Sequence, residues 1–107
     1  LYEKDLKESF SEYFDASSLH TFLLSPGEAS KTLEHYEKAL NFMFKSGFSR
    51  SDVILAFGGG LITDFAGFVG ATFMRGMKFY SIPTSILGMC DASIGSKTGI
   101  NNDFGKN

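Results

Sequence analysis

The chain has 107 residues, 43% hydrophobic with 12 Phe, and a net charge of -2; that is enough apolar material for the core of one small domain. Dispersed Lys and Arg leave no basic footprint for nucleic acid, and no apolar run approaches the roughly 20 residues of a membrane helix. A single Cys90 and two dispersed histidines, His20 and His35, exclude an internal disulfide and supply no metal-ligand set. The N-terminal YEKDLKESF lacks the apolar stretch of a signal peptide, so a soluble cytoplasmic protein is the default expectation.

Taken in chain order, Tyr2 to Tyr13 places Leu6, Phe10 and Tyr13 at helical spacing among charges and predicts an amphipathic helix. His20 to Leu24 predicts a short strand, closed by the turn signal Ser25-Pro26-Gly27. Ser30 is the expected N-cap of a helix in which Leu33, Tyr36, Ala39, Leu40 and Met43 share one face, with Gly47 as its stop. The apolar run Val53 to Phe57 predicts a strand buried on both faces, and Ile62 to Met74 a helix rich in Gly and Ala. Phe79 to Ile82 predicts a further strand stopped by Pro83, followed by a helical turn over Ile86 to Cys90 and a long loop. Strands alternating with helices predict an α/β, Rossmann-like parallel sheet, with the ligand outside the carboxyl ends of the strands. Leu1 is not an initiator Met and Asn107 falls inside a polar Gly-rich segment, so the expectation is one partial domain over 1–107, truncated at both ends.

Three glycines, Gly58 to Gly60, follow the apolar strand directly, removing side chains where a phosphate could approach main-chain N–H groups at a helix start. Read as G-x-G-x-x-G, the turn has Thr63 where the last glycine belongs, so the dinucleotide fingerprint is incomplete. Read as a P-loop, Gly95 to Thr98 has Ser96 before Lys97 and Asp91 at the first glycine position, and that motif is rejected. What remains is a diphosphate cradle with Asp64 expected in the first helical turn. Such a carboxylate repels a phosphate unless it accepts hydrogen bonds from ribose or amide groups. A second cluster, DASIGSKTGINNDFGKN over Asp91 to Asn107, gathers an acid, two lysines and several amides in one Gly-rich stretch.

Together these blocks resemble the 3-dehydroquinate synthase family. GGG-x-x-x-D-x-x-GF from Gly58, the RG pair at Arg75, PT at Pro83, D-x-S-x-G-x-K-T-G-x-N from Asp91 and the closing GKN occur in the family's order and spacing, and PGE-x-x-K at Pro26 to Lys31 adds a further element. The resemblance implies a two-domain homodimer of the shikimate pathway, serving chorismate and aromatic amino acid biosynthesis. Such an enzyme is a lyase that converts 3-deoxy-D-arabino-heptulosonate 7-phosphate to 3-dehydroquinate and phosphate. It uses NAD and a divalent metal, zinc or cobalt. Its NAD acts within one turnover: a ring hydroxyl is oxidised, phosphate leaves, the ketone is reduced again and the opened ring closes by an aldol step.

Carried over by position, the resemblance implies that Glu28 and Lys31 contact NAD near the ribose, that Gly59, Gly60 and Asp64 form the pyrophosphate turn, and that Thr84 and Ser85 also touch the cofactor. Asp91, Lys97 and Asn107 match substrate contacts, and Lys97 and Lys106 lie where cofactor and substrate meet. Arg75 matches an arginine offered across the dimer interface to the partner's substrate phosphate, a task suited to a planar two-pronged donor. Three residues depart from the pattern: Thr63 and Ser96 stand where glycines are common, and Ser85 replaces a threonine while keeping the hydroxyl. The family's metal ligands, a glutamate and two histidines, belong to a C-terminal helical domain outside this chain. His20 and His35 do not match them.

Each of these residues also has a plainer reading. Glu28 and Lys31 suit a solvated pair near a helix start, Asp64 a helix-dipole acid and Arg75 a solvated residue near a helix end. Lys97 and Lys106 by themselves are ordinary surface lysines. The alternatives for the whole are another sugar-phosphate cyclase, a polyol or alcohol dehydrogenase of the same superfamily, or a non-catalytic NAD-binding module.

Overall fold

A computed structural model describes residues 3–92 and 97–106. Three α-helices and two strands make up the regular structure there: α1 (Glu3–Phe10), α2 (Leu33–Lys45), β1 (Val53–Gly58), α3 (Gly60–Thr72) and β2 (Lys78–Pro83). Short 3-10 turns cover Ala16–Ser18, Glu28–Ser30 and Phe73–Arg75, and a π-helical turn covers Gly88–Ala92. β1 and β2 pair in parallel, Val53 opposite Lys78 through Gly58 opposite Pro83, with α3 as the crossover. The parallel α/β class expected from the sequence is the class observed.

The sheet and α3 meet closely because α3 carries glycine where it faces the strands. A Cβ added at Gly70 would lie 3.4 Å from Phe79 Cβ and 3.5 Å from Ile54 Cδ1, ordinary contact with no room for more. The core forms on the other flank of α3, where Phe65, Val69 and Phe73 pack against Ala39 and Met43 of α2. Edge-to-face and tilted rings extend it: Phe44 lies 4.9 Å from Phe73 and Tyr36 5.1 Å from Phe68, centroid to centroid, separations at which aromatic pairs attract.

Several element boundaries differ from expectation. α1 ends at Phe10 rather than Tyr13, because Ser11 turns its hydroxyl onto the Glu8 carbonyl at 2.6 Å and competes with the helical ladder; Tyr13 is exposed. The N-cap of α2 is Thr32, not Ser30: the 3-10 turn consumes Glu28 to Ser30, and the Thr32 hydroxyl then accepts from His35 N. α3 starts two residues earlier than expected, at Gly60, so Asp64 lies beyond its first turn. It ends at Thr72, whose hydroxyl donates to Phe68 O, before a 3-10 turn in which Met74 has φ 47° and Arg75 φ 67°.

His20 to Leu24 forms no strand. A strand needs a hydrogen-bonded neighbour, and among the described residues none lies alongside. The segment keeps the alternation of a strand, with Phe22 and Leu24 packed on the core while Leu23 is exposed. β1 is covered on one face only: Ala56 is buried, whereas Val53, Leu55 and Phe57 remain 38–41% exposed. The run of apolar residues belongs to a strand that needs two covering layers, and among the described residues only one is supplied. An apolar cleft of about 740 Å³ runs beside β1, walled by α1, Leu19 to Leu24, α2 and α3. No helix among the described residues is long and apolar enough to cross a membrane.

The uncovered face has a measurable consequence. Val53, Leu55 and Phe57 share it with Tyr80, which pairs opposite Leu55 and is 57% exposed; contiguous apolar surface of this kind drives association. The 107-residue polypeptide alone is expected to self-associate at high concentration and Leu55→Lys to reduce this, as read by light scattering.

Candidate functional site

The site lies at the carboxyl end of the two strands. There β1 passes into α3 through Gly58 and Gly59, and β2 passes through Thr84 and Ser85 into the helical turn beyond. Thr84 N donates to Gly58 O at 2.9 Å, so the two strand ends are tied side by side. Gly59 is the N-cap of α3 and has no side chain to cap it. Gly59 O accepts from Ile62 N and Thr63 N, and the earlier N–H groups of the helix point outward at its positive end. Ser85 Oγ accepts from Gly88 N at 3.0 Å and would stand 3.4 Å from a Cβ at Gly59. Thr63 sits in ordinary helix, its hydroxyl on Gly60 O.

Beside this turn is a charged ladder that the plainer reading did not anticipate. Lys31 is 2% exposed, and its Nζ donates to Asp64 Oδ2 at 3.0 Å and lies 3.4 Å from Glu28 Oε1. Of the Glu28–Lys31 pair, the lysine is therefore buried while the glutamate remains open to solvent. Burying an ammonium is costly unless carboxylates hold it, and here two do, from the 3-10 turn and from α3. The same contact changes the meaning of Asp64: its charge is matched by Lys31, which weakens the repulsion an isolated carboxylate would exert on an anion.

The strap 97–106 closes over this ladder. Gly99 N donates to Asp64 O at 3.4 Å, Asn101 N to Lys31 O at 2.6 Å, and Asn101 Nδ2 to Glu28 Oε1 at 2.9 Å. Thr32 and Asn101 form a parallel bridge. Asn101 was not among the residues singled out from sequence, though it is the N of the KTGIN block; its spacing from Lys97 was the available signal. The strap rests on α3 through Thr98, whose Cγ2 occupies the space a Cβ at Gly67 would need. Gly67→Ala is therefore expected to push the strap outward and lower cofactor affinity, and Thr98→Ser, which deletes that methyl, to restore much of it; equilibrium binding of the four-member set reads the coupling.

Glu28 has its carboxyl held below the ordinary value of 4.5, chiefly by the Asn101 amide; burial opposes this, and Lys31 and then Lys106 add to it. A depressed carboxylate contributes stability that is present above 4.5 and lost as pH falls through the lower folded value. Glu28→Gln is accordingly expected to flatten the fall of stability below that pH, measured by urea unfolding across an acid series.

Lys97, Thr84 and Lys106 are exposed; Thr84 lies at the strand ends, and Lys106 is near enough to Glu28 to act on its charge. Arg75 is not brought to the strand ends. It follows the far end of α3, which at 13 residues is about 20 Å long, and a turn of successive positive φ at Met74, Arg75 and Gly76 presents it to solvent. Two non-glycine residues in that region are uncommon and mark a position held against strain. Asn107 and Ser96 lie outside the described residues, as does the side chain of Asp91, whose backbone is in the π-helical turn. Among the described residues no group of three His, Cys, Asp or Glu is placed to hold a metal ion.

The parallel α/β unit carries its uncapped glycine turn at the strand ends, and its likeness to solved structures places it among the sugar-phosphate cyclases. Among solved structures it superposes on a 2-deoxy-scyllo-inosose synthase complexed with carbaglucose-6-phosphate, NAD+ and Co2+, with TM-score 0.87 and 28% identity over 97% of this chain and 28% of that one. It also matches a 2-epi-5-epi-valiolone synthase from Streptomyces hygroscopicus subsp. jinggangensis with NAD+ and Zn2+ bound, with TM-score 0.82 and 30% identity over 99% of this chain and 30% of that one.

More closely, the chain belongs to the 3-dehydroquinate synthase N-terminal family, whose model matches residues 21–107. A 3-dehydroquinate synthase from Lactococcus lactis subsp. cremoris is 54% identical over 89 residues, 83% of this chain and 25% of that protein. One from Streptococcus thermophilus is 53% identical over 81 residues, 76% of this chain and 23% of that protein. The chain thus spans about a quarter of the length of the curated relatives it matches.

Proposed function

We propose that these residues form part of the NAD-binding domain of a 3-dehydroquinate synthase, which converts 3-deoxy-D-arabino-heptulosonate 7-phosphate to 3-dehydroquinate and phosphate. The observation that carries this reading is the 53–54% identity to enzymes of that name, against 28–30% to the inosose and valiolone synthases. Their chemistry on other sugar phosphates is the second reading.

The residues present fit a dinucleotide. Gly59 leaves the N-terminus of α3 open to a diphosphate, and the carboxylates of Glu28 and Asp64, fixed by Lys31, suit acceptance of hydrogen bonds from ribose hydroxyls. Bound NAD supplies temporary hydride acceptance, which acidifies the C–H beside the oxidised carbon. The chain's own part is positional and electrostatic. Lys97 and Lys106 offer cationic donors to the anionic substrate, Asp91 and Asn107 hydrogen-bond its polar groups, and Thr84 and Ser85 line the cofactor side. Arg75, presented away from the strand ends, serves the substrate phosphate held by a second protomer of a homodimer. The divalent metal, zinc or cobalt, has no ligand set among the described residues and belongs to the remainder of a cytoplasmic enzyme.

The test is made on the complete gene product supplied with the heptulosonate phosphate and NAD. Stoichiometric phosphate and 3-dehydroquinate, no net NADH and loss of turnover with a chelator are expected; accumulating NADH would instead indicate a dehydrogenase, and cyclisation of a different sugar phosphate alone the second reading. The isolated 107-residue polypeptide is expected to release no phosphate.

A further inference from the structure

We propose that Asn101 is a positioning residue that ties the lysine-bearing strap to the cofactor-side carboxylate of Glu28, so that cofactor and substrate bind as one coupled event. The inference deepens the reading above and rests on it. Two adjacent asparagines divide the work in the strap. Asn102 folds its tip: Asn102 Oδ1 accepts from Phe104 N at 2.9 Å and Gly105 N at 3.0 Å, and Asn102 N donates to Gly105 O, which turns the chain back so that Lys106 returns toward Glu28. Asn101 anchors its base, with its side chain on Glu28 and its backbone on Lys31.

The direction of the anchoring hydrogen bond matters. A carboxylate only accepts, so Glu28 needs a donor to fix it, and the Asn101 amide is one. Around Glu28 stand Lys31 from the end of the 3-10 turn, Asp64 from α3 beyond that lysine, and Lys106 from the strap. With Asn101 in place, the Glu28 oxygen that meets Lys31 is the one that also meets the amide, so both fixed partners of the carboxylate converge on Oε1. Because the Asn101 side chain adds to the backbone bonds that join the Glu28–Lys31 segment to the strap, ordering of either by its ligand helps the other, and linkage makes that help reciprocal.

The test uses NAD binding to the complete gene product, with and without substrate, for the parent, Asn101→Ala and Asn101→Asp. Asn101→Ala is expected to weaken NAD about tenfold, the effect of losing a hydrogen bond to a charged group, and to reduce the tightening of NAD by substrate. Asn101→Asp sets two carboxylates face to face. At about pH 8 it binds NAD more weakly than Asn101→Ala, and toward about pH 5 the pair takes up a shared proton, regains a donor and recovers affinity. A contact that only holds the fold would shift thermal stability without reducing the tightening of NAD by substrate. Thermal unfolding of each variant at both pH values confirms that folded protein is compared. An Asp variant whose affinity is flat across that range, or an Ala variant within about twofold of the parent, sinks the proposal alone. A parent that binds no NAD removes the functional reading and this inference with it.

Discussion

Lys31→Met is expected to destabilise the complete protein by about 3 kcal/mol, because a buried pair that loses one partner leaves the other uncompensated. The Lys31 side chain is 3% exposed and that of Asp64 26%, so water reaches the carboxylate only in part. Methionine fills similar space, which confines the change to charge. The pair joins residues 33 apart and fastens the segment before α2 to the side of α3, so its loss loosens the wall of the site as well. Urea unfolding should show the midpoint fall. Adding Asp64→Asn removes the orphaned charge and should return much of the stability, while NAD affinity, which needs the carboxylate, stays low by at least about tenfold. That split separates a structural ion pair from a ligand-holding one: if the double variant regains both, Asp64 only balances Lys31, and if Lys31→Met unfolds at the parent's midpoint, the buried pair contributes nothing.

Local patterns made the order and class of the elements readable. The face of Leu33, Tyr36, Ala39, Leu40 and Met43 gave α2, and the apolar run ending in glycines gave β1 and the turn after it. Boundaries were misread where a side chain competes with the backbone, at Ser11, or where a 3-10 turn takes up the first candidate cap, at Ser30. His20 to Leu24 carries strand periodicity without a strand, since periodicity records which residues face inward and pairing depends on what lies alongside.

The site divides in the same way. The family resemblance marked Glu28 and Lys31, and the glycine turn marked Asp64, but no local pattern predicts that a lysine 33 positions before an aspartate will be buried against it. Asn101 escaped for the same reason, its partner lying 73 residues away. A solvated Glu28–Lys31 pair was the natural local reading, because an i, i+3 spacing near a helix start is commonly exposed; α3 and the strap together bury the lysine.

Gly58→Ala is expected to be strongly damaging, because the added methyl meets the foot of a side chain as well as its flexible end. A Cβ there would lie 2.5 Å from Ile62 Cγ1 and 2.8 Å from Ile62 Cβ. The first atom could swing away, but the second is fixed to the helix backbone, so relief requires α3 to move off the end of β1. Overpacking of this kind costs about 1–3 kcal/mol, and the movement would also disturb the Thr84 N to Gly58 O tie between the strand ends. Stability and NAD affinity should therefore fall together. Ile62→Ala added to Gly58→Ala removes the 2.5 Å contact but leaves the one at 2.8 Å, so rescue should be partial; Ile62→Gly removes both at the expense of helix propensity, about 1 kcal/mol. Urea unfolding and NAD titration on this series test the idea. Parental stability in Gly58→Ala would mean that the strand-to-helix turn has slack. A stable variant that no longer binds NAD would place the need for glycine in the approach of the ligand, not in the packing of Ile62.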